Sequence, residues 1–313
     1  MPSAPAVGVV IPAHNAGRFI DATLQSIVEQ TFTQWQCVVI DDGSDDDTLA
    51  RATAFAGRDP RFRVEHQAKS GPCVARNRGF DLLHPGTRYV SFMDADDVWH
   101  PDALETLYHA AVNVPDVIGA HGLADFIDDR GARMDPGVFA RFGRSRLGCR
   151  GGWPRPWPAS RPTTFENIVV QSILFPPGLI LAEAPAYRAV GLFDPNHVDA
   201  DDWEVLLRLL RTGDLAFVDE VILDYRRHDA NFGAGSTRAS GVTNAFRATF
   251  DSPSNTPGQQ RILRDAWRAR QVIDTRARWQ QVRHHHRLDA ALRFPLLLAR
   301  YLKGRPPAPG RHV

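Results

Sequence analysis

Lysine is almost missing from this chain: only Lys69 and Lys303 occur among 37 basic side chains, and the rest are arginine. No GxxxxGK[ST] phosphate loop exists, and a Schiff-base enzyme would have to rest on Lys69 alone. Cysteine is nearly as scarce. Cys37, Cys73 and Cys149 lack metal-binding spacing and cannot all pair, which predicts reduced thiols. Neither charge sign dominates: 37 basic and 36 acidic side chains give a net +1, so the chain has no electrostatic footprint for nucleic acid. No apolar run approaches the roughly 18 residues of a membrane-spanning helix. Met1–Val10 lacks the basic start and long apolar core of a signal peptide. A cytoplasmic protein is expected.

What is present is a globular composition, 43% hydrophobic over 313 residues, enough for one large α/β domain or two modest ones. Apolar runs at Val7–Ile11, Cys37–Ile40, Phe62–Glu65 and Tyr89–Met93 read as strands. Between them lie helical patterns at Arg18–Gln30, about Asp46–Ala56, and Pro72–Leu83 with proline in its favoured first turn. A fourth helix is expected from Pro101, with Leu104, Leu107, Tyr108 and Ala111 on its apolar face. Strands alternating with amphipathic helices predict a mostly parallel sheet covered on both faces. From about Gly122 to Phe165 the pattern dissolves into Gly, Pro and Arg, and a long flexible loop is expected there. Order returns with Ile168–Phe175, Gly178–Leu181, a helix from about Asp202 and a strand at Leu215–Val218. Beyond Gly235 the chain reads as helical.

Acidic clusters sit where a parallel sheet binds its ligands, beyond the carboxyl ends of the strands. Asp41 and Asp42 follow the second strand; Asp94, Asp96 and Asp97 follow the fourth. Carboxylates crowded together repel one another, and a hard cation such as Mg²⁺ or Mn²⁺ would relieve them. Asp45, Asp46 and Asp47 are better read as helix-start residues. His284-His285-His286 cannot share a helix face and reads as solvated surface.

Six motifs in order resemble the family 2 glycosyltransferases, inverting enzymes of GT-A fold. They are Pro12-Ala13-His14-Asn15; Ile40-Asp41-Asp42-Gly43-Ser44; Gly71 with Ala75-Arg76-Asn77-Arg78-Gly79; Phe92-Met93-Asp94-Ala95-Asp96-Asp97 with Trp99 and Pro101; Gly191-Leu192-Phe193-Asp194 with Asp201-Asp202-Trp203; and Tyr225-Arg226-Arg227-His228. They span Val7–His228. The resemblance implies a Rossmann-like sheet with a nucleotide-sugar half (residues 1–121), an acceptor and catalytic-base half (122–235) and a helical extension (236–313). It implies that Pro12, Ala13, His14 and Asn15 wrap the nucleoside and that Asp42 accepts hydrogen bonds from the base, most often uracil. Arg76 would lie near the diphosphate, with Asp94 and Ala95 also at the donor. Asp96, Asp94 and His228 would hold Mn²⁺ or Mg²⁺. Asp202, with Asp201 as the fallback, would be the general base.

Each role has a plainer counterpart. Asp42 could be a turn residue, Arg76 a surface arginine, Asp201 or Asp202 a helix cap, and His228 a packing residue. Lys69 stands where many relatives carry Asn, and Asp201 stands where they carry Glu. The Trp153 and Trp157 stretch matches no family pattern and is entertained as an acceptor lid. The implied partners are a nucleoside-diphosphate sugar, UDP first, and a saccharide or glycolipid acceptor. A peripheral membrane contact through Phe294–Lys303 is also considered. Three rivals remain: a nucleotidyltransferase, disfavoured because Pro12–Gly17 lacks a basic loop; a two-carboxylate hydrolase; and an inactive sugar-nucleotide-binding relative. A dinucleotide oxidoreductase is disfavoured by the missing GxGxxG.

Overall fold

A computed structural model describes residues 4–229 and 237–285. The chain opens with β1 (Val7–Ala13), α1 (Ile20–Val28), β2 (Trp35–Asp42), α2 (Thr48–Ala56), β3 (Phe62–Gln67) and α3 (Pro72–Asp81). It continues through β4 (Tyr89–Phe92), the short β5 (Val98–Trp99) and α4 (Ala103–Asn113). Next come β6 (Val117–Ile127), β7 (Arg133–Met134), α5 (Val138–Arg144), β8 (Leu147–Arg150), β9 (Trp153–Pro156) and α6 (Phe165–Val170). The last elements are β10 (Ile180–Glu183), α7 (Ala184–Ala189), α8 (Asp201–Leu209), β11 (Asp214–Arg226), α9 (Thr237–Asp251) and α10 (Pro257–His285).

One nine-stranded sheet organises these elements, in the order β3-β2-β1-β4-β10-β6-β11-β5, with β7 beside β6. Strands β3, β2, β1 and β4 are parallel. β10 runs antiparallel between β4 and β6, and β11 is parallel to β6. This is the helix-flanked, mostly parallel sheet that the alternating pattern calls for, with antiparallel strands confined to its second half. Its centre is dry because both faces are covered: Val7, Val9, Val10, Ile11, Val39 and Val90 are fully buried, which is why β1 and β2 read as unbroken apolar runs. Helix α1 does more than cover a face. Its buried Thr23 hydroxyl donates to the carbonyls of Ala95 at 3.0 Å and Asp97 at 2.8 Å, so the helix anchors the loop after β4.

Two expectations need correcting. Residues 122–165 are not a structureless loop: β6 runs on to Ile127, and β7, α5 and the β8–β9 hairpin follow. Gly119, His121, Gly122 and Asp125 interrupt the apolar pattern of β6 although all four are buried, and Pro154 and Pro156 disguise β9. The boundary at residue 121 therefore falls inside a strand, and both halves share one sheet. The Trp lid weakens for the same reason. Trp157 is half-buried and its indole donates to the Pro162 carbonyl at 2.9 Å, whereas Trp153 is 51% exposed. Helices α9 and α10 are less separate than "extension" suggests, since Phe246, Leu263 and Trp267 pack into the main core. The expectations for Phe294–Lys303 and for the side chains of His284-His285-His286 lie outside the described residues.

Gly119 faces β10, opposite Ala182. A methyl group there would sit 2.2 Å from the Leu181 carbonyl oxygen and 2.6 Å from Ala182 Cα, both rigid backbone atoms. Gly119→Ala is expected to lower unfolding stability by about 1–3 kcal/mol, read as a lower midpoint in urea at unchanged slope.

Candidate active site

The site lies at the carboxyl edge of β1, β2 and β4. After β1 the chain turns at Asn15, whose φ of 50° is left-handed. Four hydrogen bonds stitch this turn to the one after β2. Asn15 N–H donates to Ser44 Oγ at 3.0 Å, and Asn15 Oδ1 accepts Asp45 N–H at 2.8 Å. Ala16 N–H donates to Thr48 Oγ1 at 2.8 Å and Gly17 N–H to Asp46 Oδ2 at 2.9 Å. Pro12 and Ala13 end β1, with Ala13 buried, and His14 meets Lys69 beyond it. Gly43 must be glycine: its φ is +67°, and a Cβ would stand 2.7 Å from the Lys69 amide.

Asp41 and Asp42 divide the work at the end of β2. Asp41 is fully buried and its Oδ2 lies 2.7 Å from His66 Nδ1. Asp42, 3% exposed, accepts from Gln67 Nε2 and Ser70 N–H at 2.7 Å each and from Gly71 N–H at 2.8 Å. It thereby clamps the β3–α3 connection against β2.

Arg76 is held between two carboxylates. Its Nη2 donates to Asp94 Oδ1 at 2.7 Å and its Nη1 pairs with Asp201 Oδ2, to which the Cys73 thiol also donates at 3.5 Å. The guanidinium is buried and lies 5.1 Å from the Phe193 ring. Burial alone would ease its proton off, but Asp201 and Asp94 outweigh that and raise its pKa. Burial and then Asp201 push the Cys73 thiol up to about 12, so Cys73 stays protonated and is no nucleophile.

Asn77, quoted in a motif without a role, turns out to brace this arrangement. Its Nδ2 donates to the Phe193 carbonyl at 2.8 Å and its Oδ1 accepts Phe193 N–H at 3.0 Å. The third and fifth motifs are joined by this pair. Arg226 was also missed. Its N–H donates to Asp97 Oδ1 at 3.0 Å and its Nε to the Asp96 carbonyl at 2.8 Å, locking the end of β11 onto the acidic turn. Trp99, by contrast, is purely internal: it is buried, and its indole donates to the Gly178 carbonyl at 2.9 Å.

His228 reaches Asp96, its Nε2 2.8 Å from Asp96 Oδ2, with the Phe19 ring 4.5 Å away. Asp201 and Asp202 open α8. Asp202 N–H donates to Asp201 Oδ1 at 2.9 Å and Trp203 N–H to Asp202 Oδ1 at 2.7 Å, where the helix dipole favours negative charge. The helix itself is fixed by Trp203, whose indole donates to the Ile168 carbonyl at 2.9 Å.

The acidic turn suits a divalent cation. Burial raises the Asp94 pKa, with the Asp96 charge adding and Arg76 opposing. Burial, then the charges of Asp96 and Asp94, hold the Asp97 carboxyl well above the ordinary range, and its Oδ2 is buried without a partner. A cation would relieve this crowding. Carboxylate oxygens with one imidazole suit Mn²⁺, and Mg²⁺ through the oxygens alone. Among the described residues no three acidic, His or Cys side chains are grouped so as to hold a metal ion.

An acid raised in the folded state weakens folding as pH climbs from its ordinary value near ~4 toward the raised one. Asp97→Asn keeps an acceptor for Arg226 N–H and carries no charge. In chelator at pH 7–8 it is expected to melt above the wild type, by about 2–4 °C for each kcal/mol relieved. The difference should vanish below pH ~3, where both states of the wild type are protonated.

Residues 8–157 match Glycosyl transferase family 2, a span that holds the first four motifs. The uncharacterized glycosyltransferase YibD of Escherichia coli (strain K12) is 39% identical over 106 residues, 34% of this chain and 30% of that protein. The UDP-Glc:alpha-D-GlcNAc-diphosphoundecaprenol beta-1,3-glucosyltransferase WfgD of Escherichia coli is 32% identical over 99 residues, 32% of this chain and 38% of WfgD. The chain thus spans well under half the length of these curated relatives. S. aureus TarS in complex with UDP-GlcNAc aligns with 96% of this chain and 81% of its own, at TM-score 0.63 and 13% identity. The mannosyltransferase PcManGT of Pyrobaculum calidifontis, in complex with GDP-Man and Mn²⁺, gives the same coverage at TM-score 0.62 and 19% identity. Such low identities speak for the fold, which reaches past the matched span to the later motifs. Motif order, family match and fold point the same way: residues 8–157, just under half of the chain, are similar to the family 2 glycosyltransferases, and the whole chain shares the GT-A fold.

Proposed function

We propose that this protein transfers a sugar from a nucleoside-diphosphate donor to a hydroxyl of a saccharide or lipid-linked acceptor, inverting the sugar carbon. The observation that carries this reading is the chain Asp94–Arg76–Asp201, with Arg76 buried at its centre. It joins the donor-side acidic turn to the helix bearing the candidate base.

The stitched rim from Pro12 to Asn15 would receive the nucleoside, and Asp42 would face its base. Uridine is the first choice, because TarS is described with UDP-GlcNAc and WfgD is named for UDP-Glc. PcManGT with GDP-Man keeps guanosine in play. Asp94, Asp96 and His228 would hold Mn²⁺ or Mg²⁺, with Ala95 between the two aspartates against the donor. Such an ion, when bound, neutralises charge building on the departing diphosphate. Asp202 would take the proton of the acceptor hydroxyl as its oxygen bonds the sugar carbon from the face opposite the breaking carbon–phosphate-oxygen bond. Asp201 is held by Arg76 and Cys73. Arg76 is then a positioning residue. WfgD's name includes a diphosphoundecaprenol, which supports a lipid-linked acceptor in surface polysaccharide or glycolipid assembly.

Calorimetric titration with UDP, GDP and dTDP, with and without Mn²⁺, tests the donor site. One nucleotide should bind in a Mn²⁺-dependent way, with affinity about tenfold or more weaker in Asp96→Ala. Failure of folded protein to bind any of them overturns the reading.

Release of nucleoside diphosphate from the matching nucleotide sugar tests the base. Asp202→Asn should slow it about 10²–10⁴-fold while nucleotide affinity holds. The same loss in Asp201→Asn alone would move the base to Asp201.

A further inference from the structure

Charge is unevenly spread along this chain. Residues 130–161 hold eight arginines and one carboxylate, Asp135, a net +7. The remaining residues hold 29 basic and 35 acidic side chains and are net negative. Apolar exposure gathers in the same stretch. Six large hydrophobic side chains are exposed among the described residues, and four of them, Met134, Val138, Phe142 and Trp153, fall within it.

The densest part is β7 with α5. Helix α5 turns Phe139 and Ala140 into the core, where Phe139 stacks on Phe126 at 4.4 Å. Its outer face carries Val138, 45% exposed, and Phe142, 37% exposed, one turn apart, with Arg141 between them. Met134 and Arg133 of β7 extend this surface, and Arg130 stands at its start. Among the described residues Arg130, Arg133 and Arg141 pair with no carboxylate, whereas Arg144 is held by Asp219 at 2.5 Å. Unpaired guanidinium groups beside exposed aliphatic and aromatic side chains form an interfacial surface rather than an ordinary solvated one.

We propose that the β7–α5 surface docks on an anionic phospholipid bilayer, its arginines among the headgroups and Met134, Val138 and Phe142 at the acyl boundary. Two other occupants fit worse. A second copy meeting this face about a two-fold axis would set Arg133 and Arg141 near their own counterparts, and a seven-residue helix offers far less than the ~1,000 Å² that a stable protein interface buries. A nucleic acid would find arginines for its phosphates but aliphatic Met134 and Val138 where stacking needs rings. The placement also has a consequence for the site. The Asp128 carbonyl accepts from Arg226 Nη1 at 3.1 Å and Asp129 pairs with Arg18 at 2.6 Å, so the docking surface starts at the wall of the acidic turn. Bilayer docking is separate from the transferase reading and is read without any turnover.

Flotation of the full chain with vesicles tests it, comparing phosphatidylcholine alone with an equal mixture of phosphatidylcholine and phosphatidylglycerol. The protein should float with the mixed vesicles only, and less in high salt. Two double variants should each lower the bound fraction about tenfold at unchanged melting temperature: Arg133→Glu with Arg141→Glu, and Val138→Ser with Phe142→Ser. The first alters only exposed side chains, so it remains decisive if the second unfolds. Failure to float, or flotation unaffected by Arg133→Glu with Arg141→Glu, overturns the proposal. So does binding that disappears only on truncation before Arg293. A dimer seen by sedimentation and abolished by Val138→Ser with Phe142→Ser would assign the face to a second copy instead.

Discussion

Arg76 is a buried positive charge with a carboxylate on each side, and the rest of the site is arranged around that fact. Removing a guanidinium from water costs several kcal/mol, which only close, well-oriented partners offset. Asp94 comes from the turn after β4 and Asp201 from the start of α8, so the pairing fixes two distant parts of the chain against each other. Asn77, one residue on, repeats the tie with neutral groups by holding both backbone atoms of Phe193. Helix α3 thus acts as a splint between the acidic turn and the segment leading to α8.

The acidic turn is the complementary case, where charge is gathered without enough protein cations to balance it. Asp94 and Asp97 are both raised by burial and by their neighbours, although Arg76 and Arg226 oppose the rise. Fixed charge of this kind is costly at rest and useful when a polyvalent ligand arrives, because its field is already oriented. The adjoining rim is stiffened by hydrogen bonds between the ends of β1 and β2 rather than by ion pairs.

Much of this was legible in the sequence. Strands covered on both faces announce themselves as apolar runs, so β1, β2 and β4 could be placed, and the acidic clusters fell at their carboxyl ends. His228 lies beside Asp96. The partner of Arg76 was not readable, since nothing in its local pattern tells a buried ion bridge from a ligand contact. Nor was the bracing by Asn77, whose amide serves an element more than a hundred residues away. Strand β6 stayed hidden because its buried positions include Gly119, His121 and Asp125. His121 is accommodated by Thr163 at 2.7 Å, and burial, with Arg146 adding, lowers its pKa to about 3.

The place of β10 carries a consequence for how this chain comes to be folded. It lies between β4 and β6, pairing Ala182 with Val90 on one side and with Gly119 on the other. The span 8–157 contains β4 and β6 but not the strand that separates them, so it is not a self-sufficient unit. As the chain leaves the ribosome, β1 to β4 can assemble from local strand–helix pairs, while the outer edge of β4 waits for a partner about ninety residues downstream. Long-range pairing of this kind is slow, and an open hydrophobic edge invites association in the interval. The second half of the protein therefore acts on the first as the strand that closes it.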